Sequence, residues 1–199
     1  MANVSDEEIH QMVQRVLGQF SGASASPASS VTTVEKPAVE PQAGGQPALR
    51  KVVAIGADHG GYELKEALKP ELTAQGYDFI DAGTNSKESV DYPDYAHQVA
   101  RLVSSGKAWR GIVIDGAGIG SCIVANKVPG VRAGMAYDYS SAVNSREHND
   151  ANVLSLGAGL IGSNLAKQIV KVWLATPFGG GRHERRVNKI TAVEKEYLK

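Results

Sequence analysis

From residue 51 onward, short apolar runs alternate with segments of helical periodicity, and this alternation restricts the possible folds more than any other feature of the chain. Apolar-rich runs of four to six residues predict buried strands at 51–56, 77–81, 111–114, 131–136 and 153–156. Apolar side chains every three or four positions predict helices at 62–75, 95–104, 121–127, 140–147 and 164–174, and a last helix striped by Val187, Ile190, Val193 and Tyr197. Alternating strands and helices are typical of a parallel sheet with helices on both faces.

The predicted fold class is therefore α/β: a Rossmann-like three-layer sandwich with a five-stranded parallel sheet, formed by residues 49–199. An isolated amphipathic helix precedes it. In sheets of this kind, ligands bind beyond the carboxyl ends of the strands. We therefore expect the chemistry to lie in the loops that follow the strands.

The first 20 residues predict that separate amphipathic helix. Ser5 followed by acidic residues is typical of a capping box, and a single apolar stripe follows it, formed by Ile9, Met12, Val13, Val16, Leu17 and Phe20. Residues 21–48 have no periodicity, and 18 of these 28 are Ser, Ala, Gly or Pro, which predicts a flexible linker. The predicted organisation is therefore an amphipathic helix at 1–20, a flexible linker at 21–48 and an α/β domain at 49–199.

A short isolated helix is marginal in water, so its apolar stripe needs a partner. Three partners remain open: the chain's own domain, a membrane surface, or a groove on another protein. Helices that lie on membranes are usually basic, whereas this polar face carries three acids and only Arg15 as a base, which disfavours a membrane. The segment resembles the encapsulation peptides that direct enzymes into bacterial microcompartments. We therefore favour a targeting helix that binds a shell protein through residues 5–20.

Charge and composition exclude several classes of protein. Lys plus Arg and Asp plus Glu both number 21, so the formal net charge is zero, and no binding of nucleic acid by bulk charge is expected. The longest apolar runs have only a few residues, so no membrane span is expected. The single cysteine, Cys122, is interpreted as packing and fits a reducing compartment. Without a secretion pattern at the N-terminus, the expected location is the cytoplasm, with a microcompartment interior as destination.

The loop after the third predicted strand carries one acid and three glycines, Asp115, Gly116, Gly118 and Gly120. Glycines at every second position let backbone N–H groups converge on an anion or a carbonyl oxygen. A carboxylate beside such donors is a candidate general base. The alternative is a structural acid that accepts backbone hydrogen bonds.

Three other segments carry candidate groups. Asp58 and His59 follow the first strand, where Asp58 alternatively caps a helix. His148, at a predicted helix end, exchanges a proton near neutral pH or offsets the helix dipole. Arg182 and Arg186 share one face at the start of the last helix. They form a candidate phosphate clamp or a solvated charge run.

Together these segments resemble the family of ribose-5-phosphate isomerase B and the galactose-6-phosphate isomerase subunits, over about residues 50–199. The matching segments are 56–65, 91–93, 116–120, 125–130, 145–153 and 181–183, with Arg186. The resemblance implies interconversion of aldose and ketose phosphates without a metal or an organic cofactor. It also implies a homodimer or a dimer of dimers, with sites at the dimer interface and arginines from the neighbouring subunit.

The resemblance also implies roles for individual residues. His148 opens the sugar ring, and a base on the glycine loop moves a proton between C2 and C1 of the substrate. The residues implied to contact the sugar or its enediolate are Asp58, Tyr92, Gly116, Gly118, Gly120 and Asn149. Those implied to bind the phosphate are His59, Arg182 and Arg186.

The departures from the family pattern all lie within this implied site. Many members have a cysteine base where this chain has Asp115, and a second branch has a glutamate base where it has Ser121. The usual Thr or Ser hydroxyl is absent at Ala117, and a phosphate-binding arginine aligns with Gly159. A carboxylate is a competent base for enediol chemistry, so we predict Asp115 as the catalytic base. The alternative is a catalytically altered or inactive paralogue that binds a sugar phosphate.

Overall fold

The computed structural model describes residues 51–197 and, before them, only Glu7 and Gln11, which are helical and exposed. The predicted targeting helix and linker otherwise lie outside the described residues. The chain divides into two units, Met1–Gly45 and Gln46–Lys199, and residues 51–197 all belong to the second. Within the described part of the chain, no helix is long and apolar enough to cross a membrane.

Strands and helices alternate through the described domain. The strands are β1 Val52–Ala57, β2 Asp78–Asp81, β3 Arg110–Asp115, β4 Ala133–Met135 and β5 Val153–Gly157. The helices are α1 Tyr62–Ala74, α2 Tyr92–Ser104, α3 Ile119–Ala125, α4 Tyr139–Glu147, α5 Ser163–Ala175 and α6 Arg182–Tyr197. All strand pairs are parallel, in the order β2-β1-β3-β5-β4. The predicted five-stranded parallel sheet is confirmed.

The core has two parts because successive strand residues point to opposite faces of the sheet. On one face, Val53 and Ile55 pack with residues of α1, α4 and α5. On the other face, Ala54 packs with residues of α2 and α3. This second face is lined by small residues because α2 lies close to it: a Cβ at Gly111 would come within 2.7 Å of a methyl carbon of Val99. Helices therefore cover both faces, as the three-layer prediction requires.

Two helices begin two or three residues earlier than predicted, and each has a local cause. α2 begins at Tyr92 rather than 95, because Pro93 lies in its first turn, where a missing N–H is tolerated. α3 begins at Ile119 rather than 121, because Gly118 adopts a left-handed conformation, with φ of 80°, and forms the N-cap. As a result, Gly120 belongs to the first turn of a helix and not to the loop.

The edge strand β4 is shorter than the predicted 131–136 and is covered by a side chain. Asn126 Nδ2 donates to the carbonyl oxygen of Ala133 at 3.0 Å, and Asn126 Oδ1 accepts the N–H of Ala133 at 2.9 Å. The amide group therefore satisfies backbone groups that a further strand would otherwise pair with. This gives Asn126, part of the family-like segment 125–130, a structural role.

Lys65 is wholly buried although it carries a charge. Its ammonium group donates to both carboxylate oxygens of Asp81 at 2.7 Å. Lys69 donates to the same carboxylate at 2.9 Å, and Asp81 Oδ1 accepts the N–H of Gly83 at 2.9 Å. Burial raises the pKa of Asp81, but the hydrogen bonds from both lysines and from the Gly83 amide outweigh it and leave that pKa below its ordinary value. This network ties α1 to the end of β2.

Replacing Lys65 with methionine is expected to lower the free energy of unfolding by about 1.5–3 kcal/mol, because Asp81 loses one charged hydrogen-bond donor and keeps only Lys69 and the Gly83 amide. Urea unfolding followed by circular dichroism measures the change. The matched control is Lys87→Met, since Lys87 and its partner Glu63 are 65% and 75% exposed. That variant should lose less than about 1 kcal/mol. Equal losses in the two variants would contradict a structural role for the buried pair.

Candidate active site

Polar side chains cluster at both ends of the parallel strands. The end where the strands finish is called the carboxyl edge of the sheet, and the end where they begin is called the amino edge. The carboxyl-edge group, where the strands end, comprises Asp58, His59, Tyr92, Asp115 and the glycine loop, a name that covers residues 116–120 and includes the first two residues of α3. The amino-edge group, where the strands begin, comprises Asn144, His148, Asn149, Arg182, His183 and Arg186. All the residues selected from the sequence as catalytic or binding belong to one of these two groups.

Asp115 ends β3 and is only 5% exposed. Its Oδ1 accepts the N–H groups of Ala117, at 2.8 Å, and of Gly118. Its Oδ2 accepts the N–H of Ser121 at 3.0 Å. The converging amides of the loop therefore bind the chain's own carboxylate, as the structural interpretation of Asp115 requires. Because a carboxylate has about four acceptor sites, one site on Oδ2 remains open for a proton.

Three other backbone amide N–H groups of this segment form no hydrogen bond within the described residues. The N–H groups of Gly116, Ile119 and Gly120 donate to no protein atom within residues 51–197. A Cβ at Gly116 would meet nothing within 4 Å, so the backbone borders open space there. Gly118, predicted to donate to substrate, instead donates to Asp115. The donors left for a substrate oxygen are therefore Gly116, Ile119 and Gly120.

Asp58 lies next to this loop and is 8% exposed. Its Oδ1 accepts the N–H of Gly61, the N-cap of α1, at 2.9 Å. A Cβ at Gly60 would lie 3.3 Å from that oxygen and 3.6 Å from the backbone nitrogen of Gly116. The loops after β1 and β3 are therefore in contact, and Asp58 both orders its own turn and borders the glycine loop.

His59 and Tyr92 complete the carboxyl-edge group. The exposed His59 ring places Nδ1 3.1 Å from the carbonyl oxygen of Val90 and 3.2 Å from its nitrogen. Tyr92, at the start of α2, is 39% exposed. A Cβ at Gly120 would come within 2.5 Å of the Tyr92 ring, so this contact requires glycine at 120. The ring thus lies directly on the first turn of α3.

At the other edge, His148 caps the carboxyl end of α4. Asn144 Nδ2 lies 2.8 Å from His148 Nδ1. Because an amide nitrogen only donates, Nδ1 is the acceptor, and the neutral ring carries its proton on Nε2. Asn149 Nδ2 lies 3.3 Å from the side-chain oxygen of Asn144 and donates to it. The two asparagines therefore fix the tautomer of His148 and the turn that follows it.

The imidazole rings of His148 and His183 stack, with centroids 4.1 Å apart and planes inclined by 6°. Arg182 Nε lies 3.4 Å from His183 Nε2, and the exposed Arg186 follows one turn later on α6. Burial against these neighbours lowers the pKa of His183, and so do the charges of His148 and the two arginines. Two guanidinium groups beside two imidazoles form a surface suited to a phosphate.

Two buried arginines hold the segment that leads to α6 at this edge. Arg110, the first residue of β3, donates to the carbonyl oxygens of Trp173, at 2.7 Å, and Thr176, at 3.2 Å. Arg146 Nε donates to the same Thr176 oxygen at 3.3 Å. Burial lowers the pKa of Arg110 to about 10, helped by the neighbouring charge of Arg146. Both guanidinium groups therefore stabilise the end of α5, where the helix dipole is negative.

Within one chain the two groups lie at opposite edges of the sheet. Asp115 pairs with Gly157 at the end of β5, whereas His148 lies in the turn just before that strand begins at Val153. α4 joins the two edges through nine residues, a rise of about 13 Å. The expectation that all the chemistry follows the carboxyl ends of strands is therefore wrong for the predicted residues of the amino-edge group. A helix that starts at one edge ends at the other.

Cys122 lies on α3 and is half-buried. Its thiol donates to the carbonyl oxygen of Ala133 at 3.5 Å. Burial raises the pKa of the Cys122 thiol, and the nearby charge of Asp115 raises it further. A thiol held in its neutral form is a poor nucleophile, so the packing interpretation agrees with the geometry.

Two members of the amino-edge group were not selected from the sequence. His183 directly follows Arg182 in the predicted phosphate clamp, and Asn144 precedes His148 by four positions. The spacing of four places Asn144 and His148 on one helix face, so the contact between them could have been predicted from the sequence. The stacking of His183 on His148 could not, because it joins segments 35 residues apart.

A carboxylate beside backbone amides unpaired within residues 51–197 at one edge, and imidazoles and guanidinium groups at the other, are groups that suit an enzyme that moves protons within anionic substrates. The sugar-phosphate isomerases form one class of such enzymes.

Comparison with known proteins narrows this class. The family described as Ribose/Galactose Isomerase matches residues 53–190. Ribose-5-phosphate isomerase B of Escherichia coli is 47% identical over 144 residues, 72% of this chain and 97% of that protein. D-erythrulose-4-phosphate isomerase of Pectobacterium atrosepticum is 42% identical over 143 residues, 71% of this chain and 94% of that protein. The solved structure of ribose-5-phosphate isomerase B from Clostridium thermocellum is 52% identical, with a TM-score of 0.72, and covers 73% of this chain and 99% of that one.

The chain belongs to the ribose/galactose isomerase family and is an isomerase. The family resemblance and the Rossmann-like α/β fold predicted from the sequence are both confirmed. The family match begins at residue 53, after the predicted helix and linker. The targeting role of residues 5–20 stays a prediction.

Proposed function

We propose that this chain interconverts an aldose phosphate and a ketose phosphate of the ribose 5-phosphate type through an enediolate. One observation carries the proposal: backbone amides orient the Asp115 carboxylate and leave Oδ2 open beside the uncommitted amides of the glycine loop. A base next to donors for an oxyanion is what proton transfer between adjacent sugar carbons requires. The names of the relatives, which refer to ribose 5-phosphate and D-erythrulose 4-phosphate, support a sugar phosphate as the substrate class.

A complete site needs two copies of the chain. Within one chain, Asp115 and His148 lie at opposite edges of the sheet, and α4, with a rise of about 13 Å, spans from one edge to the other, so the two side chains do not reach one sugar together. A two-fold axis brings the same pair of surfaces together twice. The carboxyl-edge group of one copy then faces the amino-edge group of the other. A homodimer has two such sites, and a dimer of dimers has four.

The amino-edge group binds the substrate and opens its ring. Arg182 and Arg186 hold the phosphate through charge-assisted hydrogen bonds, and His59 of the other copy adds a further donor. As the ring opens, Nε2 of His148 gives its proton to the ring oxygen and takes up the proton of the C1 hydroxyl, so the imidazole ends neutral and the substrate keeps its charge. Asn149 holds the turn beside it. Ring opening exposes the C1 aldehyde, which makes the proton on C2 acidic enough to remove.

The carboxyl-edge group then performs the isomerisation. Asp115 Oδ2 takes the proton from C2, and the N–H groups of Gly116, Ile119 and Gly120 stabilise the enediolate oxygen. The proton returns to C1, and a hydroxyl proton passes from O2 to O1, so the ketose has the same atoms and charge as the aldose. Asp58 and Tyr92 hold the sugar hydroxyls during this transfer.

Isotope exchange tests this function directly. The full-length protein is incubated in heavy water with ribose 5-phosphate, and deuterium at C1 and C2 is followed by NMR. D-Erythrulose 4-phosphate and hexose phosphates extend the series to other chain lengths. Deuterium at carbon in any of these supports the isomerase, whereas its absence from all of them would refute it.

A second function is favoured by the same loop. Three amides hold the Asp115 carboxylate, no hydroxyl is present at Ala117, and no cation is present at Gly159. These features suit a paralogue that binds a sugar phosphate without turning it over. Calorimetric binding of ribose 5-phosphate without deuterium exchange would favour this alternative.

The N-terminal segment adds a proposed location. The predicted helix has one apolar stripe and an acidic polar face, and a linker rich in Ser, Ala, Gly and Pro follows it. This pattern supports a role as cargo of a microcompartment in the cytoplasm, with residues 5–20 bound to a shell protein. The formal net charge of zero does not favour nucleic acid as a partner, and the three acids on the polar face of the predicted helix do not favour a membrane.

Deleting residues 1–20 is expected to abolish assembly with the shell and to leave the isotope-exchange rate unchanged, because the family match begins at residue 53. Co-purification with shells from the native host measures assembly. The matched control deletes residues 22–41, which shortens the linker by the same length and keeps the predicted helix. Loss of solubility in the first variant alone would instead mean that the helix packs on its own domain.

A further inference from the structure

Tyr137 contacts the glycine loop from outside the groups described above. It lies between β4 and α4 and is 37% exposed. Its hydroxyl donates to the carbonyl oxygen of Ala117 at 3.2 Å and lies 3.9 Å from the sulfur of Met135. Within residues 51–197, no other hydrogen bond reaches that carbonyl. Among the described residues, Tyr137 is therefore the sole hydrogen-bond donor to the Ala117 carbonyl.

The start of α4 fixes the backbone of Tyr137. Its N–H donates to Ser141 Oγ at 3.1 Å. Ser141 in turn forms a capping box with Asp138, whose Oδ1 accepts the N–H of Ser141 at 2.7 Å. A capped helix end is a rigid support, so the phenol reaches the loop from a fixed position.

The peptide between Ala117 and Gly118 is consequently held at both ends. Its carbonyl oxygen accepts from Tyr137, and its N–H donates to Asp115 Oδ1. Gly118 has a φ of 80°, a region that glycine enters as readily as others, so the residue itself does little to fix the peptide. Rotating this peptide would break both hydrogen bonds at once.

We propose that Tyr137 is a positioning residue for proton transfer: its hydroxyl holds the Ala117–Gly118 peptide so that the Gly118 N–H orients the carboxylate of Asp115. The inference rests on the proposed isomerase function and extends it to a residue in the loop after β4. Tyr137 acts through the loop and makes no contact with substrate.

The test compares Tyr137→Phe with Tyr139→Phe in the full-length protein. Tyr139 is two residues further along the chain, at the first position of α4, and is 64% exposed, so its variant is a matched control. Amide hydrogen exchange at Gly118 is measured by NMR without substrate, and kcat and KM are measured with the sugar phosphate that gives isotope exchange.

In Tyr137→Phe, Gly118 exchange should rise and kcat should fall, each about three- to tenfold, the effect of one lost hydrogen bond. KM should stay within about twofold, because the phenol does not bind substrate. Tyr139→Phe should match the wild type in all three.

Two results would overturn the inference. Unchanged Gly118 exchange in Tyr137→Phe would mean that the phenol does not hold the peptide. Faster exchange with an unchanged kcat, or with a loss confined to KM, would mean that the peptide does not serve proton transfer. A wild-type protein inactive on every sugar phosphate would refute the proposed function and the catalytic part of this inference, whereas the exchange measurement still decides separately whether the peptide is held.

Discussion

Replacing Asp115 with asparagine is expected to slow deuterium incorporation into the substrate by about 10²–10⁴-fold, the usual contribution of a general base. The amide of asparagine has no basic oxygen to accept the C2 proton. Its NH2 group would also face the N–H of Ser121, where Oδ2 of Asp115 now accepts. The measurement is isotope exchange at saturating substrate, so that a change in binding does not enter the rate.

A second variant separates catalysis from loop structure, because Asp115 also holds three backbone amides. Asp115→Cys introduces the base that the family resemblance implies for many members, but a thiolate accepts these amides poorly. If Asp115 is the base, Asp115→Cys should keep measurable exchange that increases toward alkaline pH as the thiol ionises. If Asp115 only organises the loop, both variants should lose exchange equally at every pH.

The sheet and the carboxyl-edge group could be predicted because their signals are local. Residues 52–55 form a continuous apolar run that ends at Gly56, and such a run predicts a buried strand. The paired glycines Gly116 and Gly118 then mark where a strand ends and a loop begins. None of this requires knowledge of distant parts of the chain.

The amino-edge group could be predicted by residue type but not by position. The sequence predicts His148 at the end of a helix, and the length of α4 places that end at the other edge of the sheet. The partners of Asp115 depend on the left-handed φ of Gly118, and the support from Tyr137 joins residues 20 positions apart. Such contacts arise from how elements pack, so no periodicity in the sequence reports them.

Co-expression of two inactive variants, Asp115→Asn and His148→Asn, is expected to restore activity. Random assortment makes about half of the dimers mixed, and each mixed dimer contains one site with both residues intact, so about one quarter of the wild-type activity should return. The intact site combines Asp115 of one chain with His148 of the other. Differently tagged chains, purified through both tags, isolate the mixed dimers and raise the expected recovery to about one half.

The control pairs two defects from the same edge: His148→Asn with the double variant Arg182→Met and Arg186→Met. Every site of that mixed dimer contains one defective amino-edge group, so no activity should return. If each site were instead built within a single chain, neither mixture would recover, although native mass spectrometry would still detect mixed dimers. Recovery in the first mixture alone therefore requires that the two edges, about 13 Å apart along α4, meet between subunits.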